Sequence, residues 1–149
     1  MSFRTELLLV LLAPASLAYL ADQSPAAAVT PVVARGDFDR DVLIDTASVI
    51  RGSDGHYRVV VKPGAKGGRP VTVYDFGRGP GDYFVERDKP GRYETACHKG
   101  YGPDAHENQH CAYDFLVLRG AVFSFGVAES SEAVALWTGR RFKVVWISD

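Results

Sequence analysis

From residue 31 onward the chain is cut by turn-forming residues into short runs rich in Val, Tyr and Phe. No run sustains the 3.6-residue period of an amphipathic helix, so the pattern predicts strands. Ile44 to Arg51 alternates, with Ile44, Thr46, Ser48 and Ile50 on one face and Asp45, Ala47, Val49 and Arg51 on the other. Gly52-Ser53-Asp54-Gly55 supplies the backbone freedom of a tight turn, and Tyr57 to Lys62 returns as its partner strand. Ala133 to Trp137 and Phe142 to Ile147 flank Thr138-Gly139-Arg140-Arg141 in the same way. Further strands are expected at residues 31–35, 71–76, 82–86 and 93–97, and at 113–118 and 121–125 around Arg119-Gly120. The stretch from Glu129 to Leu136 has room for one helical turn. The expectation is one all-β antiparallel domain over residues 29–149, built from hairpins. It would be a sandwich, roll or partly open barrel of about seven to nine strands. A solenoid or a propeller is not supported, since no internal sequence repeat is strong enough.

The first residues read differently. Arg4 precedes an unbroken aliphatic run from Leu7 to Leu12, and residues 13–21 stay apolar, which is the pattern of a signal peptide over residues 1–21. Cleavage is expected between about residues 18 and 28, with 22–28 a flexible leader. The apolar run is shorter than the roughly 20 residues of a membrane span and contains Pro14, so a cleaved signal is preferred to an uncleaved anchor. No cysteine follows the run to carry a lipid. No stable membrane span is expected after processing, and the location is periplasmic or secreted. An oxidising compartment makes a disulfide the first reading of Cys97 and Cys111, the only two cysteines. Net charge is −1, so no basic excess exists for nucleic acid to exploit.

The candidate chemistry lies in Asp37-Phe38-Asp39-Arg40-Asp41-Val42-Leu43-Ile44-Asp45. Carboxylates two residues apart in a tight turn can point at one centre, and calcium accepts several oxygen ligands at flexible distances. Asp37, Asp39, Asp41 and Asp45 are the candidate side-chain ligands, with the Leu43 carbonyl between them. Four carboxylates this close repel one another without a cation. Residues Gly36 to Ala47 resemble one degenerate copy of the FG-GAP/VCBS-type repeat, whose signature runs D-F-[ND]-G-D-G-x-x-D. The resemblance implies a calcium loop between two strands in an exported protein. Residues 131–146 are similar to the tail of small exported bacterial proteins carrying one such motif, which implies no activity. Arg40 and Val42 stand where the signature has glycines, and a β-branched residue resists positive φ. Two readings stand: a calcium site, or a metal-free turn in which Arg40 is the counter-ion.

A second group, Cys97-His98, His106 and His110-Cys111, has zinc-ligand chemistry in a spacing that matches no zinc pattern. With the thiols paired, His98, His106 and His110 remain as a weak metal or pH-sensitive patch. Gly64 to Arg69 is glycine-rich and basic but lacks the phosphate-loop arrangement, and reads as a flexible turn. Phe115, Phe123, Phe125, Trp137, Phe142 and Trp146 are expected in the core. Tyr74, Tyr83, Phe84, Tyr93 and Tyr101, with Arg78, Arg87 and Arg92, are a candidate recognition surface. No nucleophile signature is present. The leading expectation is a non-catalytic exported binding or accessory module with a structural calcium, acting on an unidentified protein or surface ligand. An inhibitor or immunity-like protein, and a small hydrolase whose site the sequence does not reveal, are the alternatives.

Overall fold

A computed structural model describes residues 33–79, 81–101 and 111–148. The signal peptide, the leader, His106 and His110 lie outside them. The described residues contain no helix and form ten strands: β1 (Val33–Gly36), β2 (Asp45–Arg51), β3 (His56–Lys62), β4 (Val71–Arg78), β5 (Tyr83–Arg87), β6 (Gly91–Glu94), β7 (Phe115–Leu118), β8 (Phe123–Val127), β9 (Ser131–Trp137) and β10 (Phe142–Ser148). The all-β expectation holds, with one strand more than its upper count. All pairings are antiparallel. One sheet runs β1-β2-β3-β4, a second β10-β9-β8-β5, and β6 and β7 form a two-stranded ribbon. The sheets do not close into a barrel.

The two larger sheets enclose the main core. Ala34, Ala47, Val59 and Val61 from the first meet Val85, Phe123, Phe125, Ala133 and Ala135 from the second. Of the two faces of β2, the one carrying Asp45 and Ala47 is buried, both residues at 0% exposure. A second core lies on the opposite face of the second sheet, where Val134, Val145 and Ile147 pack against Leu116 and Leu118 of the ribbon, with Tyr93 alongside. Central strands β8 and β9 are therefore covered on both faces.

That double burial corrects the expected hairpin around Arg119-Gly120. β7 pairs with β6, whereas β8 pairs with β5 and β9. Phe123 and Phe125 must reach the main core, which places β8 inside the second sheet with both edges occupied. Leu116 and Leu118 instead cap the second core from outside. It also excludes the helical turn at Glu129 to Leu136. Ala133 and Ala135 face one core and Val134 the other, a period of two that only a strand provides. The β8–β9 hairpin depends on Gly126, where a Cβ would lie 1.8 Å from the Ser131 carbonyl oxygen.

The strand expected over residues 93–97 stops at Glu94. There the Thr95 hydroxyl donates to the Tyr113 carbonyl at 2.6 Å, and the Ala96 N–H donates to the Trp146 carbonyl at 2.9 Å, tying the ribbon to β10. Cys97 and Cys111 form the expected disulfide, with Cα atoms 5.8 Å apart. The bond is consistent with an oxidising, exported location. Among the described residues no helix is long and apolar enough to cross a membrane.

Candidate metal centre

The turn between β1 and β2 is built on one buried carboxylate. Asp45 opens β2, and its Oδ2 accepts the N–H groups of Phe38 at 2.8 Å and Asp39 at 3.2 Å. Its Oδ1 accepts the Gly64 N–H at 2.8 Å, so the connection from β3 to β4 is fastened to the same group. Phe38 anchors the turn from below, meeting Phe123 edge-on at 4.8 Å. Along the turn, Asp39 Oδ1 accepts the Asp41 N–H at 3.1 Å and Asp41 Oδ1 accepts the Leu43 N–H at 2.8 Å. These are side-chain turns of the kind aspartate favours.

Arg40 has φ 66° and Val42 φ 67°. The backbone thus keeps left-handed geometry at both positions where the resembled signature carries glycine, and Val42 bears the steric cost. Asp37, Asp39 and Asp45 bring carboxylate oxygens within 4.8 Å of one another, a group that could hold a metal ion. Asp37 Oδ1 is buried without a hydrogen-bond partner. Asp39 is held above its ordinary value, first by partial withdrawal from water and then by the charges of Asp45 and Asp41, against the bond from the Asp41 N–H.

Three of the four predicted aspartates are therefore together. Asp41 is outside the group, exposed and engaged with Leu43, which is itself exposed at the tip of the turn. Arg40 does not serve as the internal counter-ion: among the described residues it makes no ion pair. The Gly64 N–H is a member that sequence reasoning missed, since Gly64 reads only as part of a turn. A buried aspartate at a strand start, needing donors, was the one available signal.

The other predicted groups resolve differently. The thiols of Cys97 and Cys111 are bonded to each other and do not ligate metal. His98 lies 3.5 Å from both Glu94 and Asp114, with its ring 4.9 Å from that of Phe115. The expected aromatic surface is divided: Tyr74, Tyr83, Phe84 and Tyr93 are half-buried, while Tyr101, Arg78, Arg87 and Arg92 are exposed. Tyr74 packs on Phe125 and Trp146, Tyr83 stacks on Phe76 at 4.3 Å, and Tyr93 joins the second core. Phe115, expected in the core, is exposed under the Arg92 guanidinium at 3.7 Å. An exposed network links Asp54, His56, Arg58 and Asp75 across β3 and β4.

Asp88, just after β5, went unnoticed in sequence. It is half-buried, and its Oδ2 has no hydrogen-bond partner. Burial first, then the charges of Glu132 and Glu86, push it up to about 6, while the nearby Ser124 hydroxyl opposes this without reaching hydrogen-bond geometry. Between the ordinary value and about 6 the folded chain holds the proton more tightly than the unfolded chain. Stability therefore falls as pH rises through that window. Discounted for solvent screening, the penalty above it is roughly 1 kcal/mol. Asp88→Asn should raise the melting temperature at pH 7.5 by about 3 °C and leave it unchanged at pH 4. Thermal scans at both pH values test this, and an equal effect at each would refute it.

The chain matches no protein-family model, and no curated protein or solved structure shows significant similarity to it.

Proposed function

We propose that this chain is a non-catalytic binding or accessory module, periplasmic or secreted, whose acidic turn is braced by a calcium ion. The observation that carries the calcium is Asp37 Oδ1: buried, without a hydrogen-bond partner, and grouped with carboxylate oxygens of Asp39 and Asp45. Burying an unpaired carboxylate oxygen is costly, and a cation would remove that cost at Asp37 while offsetting the neighbouring charges of Asp39 and Asp45. A donor set of carboxylates alone suits a hard cation rather than zinc or copper. Oxygens within 4.8 Å of one another can share one calcium, whose ligands lie about 2.3–2.6 Å from it. The left-handed backbone at Arg40 and Val42 supports the same reading, because it preserves the loop shape of the resembled repeat. The role is structural, since the ion would join β1 to β2 from within the turn. Export is supported by the disulfide and by the apolar character of residues 7–21.

Thermal melting tests it. At ten times the dissociation constant calcium should add about 1.4 kcal/mol, raising the melting temperature by roughly 5 °C over an EDTA control. Asp37→Asn should abolish that rise while melting no lower than wild type in EDTA. A melting temperature that neither EDTA nor millimolar calcium moves would end the calcium reading.

A further inference from the structure

We propose that the tip of the acidic turn is a docking surface for an anionic lipid membrane. Val42, Leu43 and Ile44 are consecutive, and 86%, 44% and 63% exposed. Three adjacent aliphatic side chains turned to water lie outside any core and serve neither sheet. Val42 projects from a left-handed backbone that a valine adopts only at a cost. Strain held at an exposed apolar residue points to use rather than to packing.

Exposed cations beside the apolar tip point to the occupant. The β1–β2 and β3–β4 connections leave the same end of the first sheet, where β2 begins and β3 ends. They touch: the Gly64 N–H reaches Asp45, and a Cβ on Gly64 would lie 2.6 Å from the Ile44 carbonyl oxygen. Arg40 on one connection, and Lys62, Lys66 and Arg69 at the end of β3 and on the other, are all exposed. None of the four is in an ion pair among the described residues. An apolar tip with a rim of unpaired cations matches a bilayer surface, where aliphatic groups enter the acyl boundary and Lys and Arg meet the headgroup charge. A protein partner fits less well. Protein interfaces centre on buried aromatic and Arg anchors across roughly 800 Å² per partner, and this tip offers three aliphatic residues.

Asp37, Asp39 and Asp41 oppose an anionic surface until a cation offsets them, so docking should strengthen with calcium. That dependence rests on the cation reading above; the apolar tip and basic rim do not.

Sedimentation of the full chain with phosphatidylglycerol/phosphatidylcholine vesicles, in calcium and in EDTA, tests the proposal. The apolar residues 7–21 are common to every variant, so differences between variants report the tip. Val42→Ser/Leu43→Ser/Ile44→Ser should bind at least about tenfold more weakly. Lys66→Glu/Arg69→Glu should lose at least about fivefold per reversed charge on anionic vesicles, with no comparable loss on phosphatidylcholine alone. Both variants alter exposed residues and should melt no lower than wild type does. If the triple variant binds as wild type does while calcium still raises the melting temperature, docking fails and the cation reading stands. If calcium leaves melting unmoved but the triple variant loses its vesicle binding, the cation reading fails and docking stands. A wild-type chain that binds neither vesicle, or a doubled solution mass that the triple variant loses, overturns the proposal.

Discussion

Replacing Asp45 with alanine should lower the melting temperature by about 10–20 °C, the largest effect of any single change in the acidic turn. Asp45 is fully buried, and its two oxygens hold the N–H groups of Phe38, Asp39 and Gly64. Alanine leaves these donors without their acceptor, the Phe38 N–H buried and those of Asp39 and Gly64 part-buried, and an orphaned buried donor costs about 1–3 kcal/mol. Partial relaxation brings the sum to roughly 3–5 kcal/mol. Thermal scans in EDTA keep any lost cation out of the comparison. Asp45→Asn retains one acceptor but points an amide at donors, so it should fall between alanine and wild type. Asp41→Ala is the control: that carboxylate is exposed and holds one N–H, for a loss of about 0.5 kcal/mol. An alanine variant at position 45 melting within a few degrees of wild type would show that the turn is held elsewhere.

The same contrast marks what was legible in the sequence. Asp45 and Ala47 fall on one face by strand alternation alone, and that face proves buried. Asp-Gly at Asp54-Gly55 and the Thr138 to Arg141 turn specify their hairpins locally, so β2–β3 and β9–β10 were readable. The disulfide followed from cysteine count and compartment. β8 was harder because a strand covered on both faces loses its alternation: Phe123, Ser124, Phe125 and Gly126 are all buried. The partner of β7 was not readable at all. Chain proximity favours β8, and only the need of Phe123 and Phe125 for the main core overrides it. Within the site, spacing marked the acidic turn but could not separate Asp41 from the group, since that depends on which carboxylate its neighbours' N–H groups claim. Arg40 is the sharper lesson. A cation beside aspartates invites an ion pair, yet its left-handed backbone accompanies a side chain left in water, next to the apolar tip.

The Cys97–Cys111 bond should matter to the ribbon more than to the two larger sheets. It joins the chain just beyond β6 to the chain just before β7, across 14 positions. Closing a loop of that length is worth about 3 kcal/mol in the chain-entropy model. Cys97→Ser/Cys111→Ser should therefore lower the melting temperature by roughly 10 °C. The ribbon is the thin layer of the fold: two four-residue strands, pinned to the second sheet by Leu116, Leu118 and Tyr93 and by the Ala96 and Lys99 bonds to β10. Without the bond, the ribbon can open while the main core stays closed, because β8 is already paired on both edges. Hydrogen exchange reads this directly. Amides of Tyr93 and Leu116 should exchange at least about tenfold faster in the double variant, while those of Val59 and Phe125 slow or quicken only with global stability. Uniform acceleration of all four would mean that the bond stabilises the whole domain as one unit and that the ribbon is not a separate layer in energetic terms.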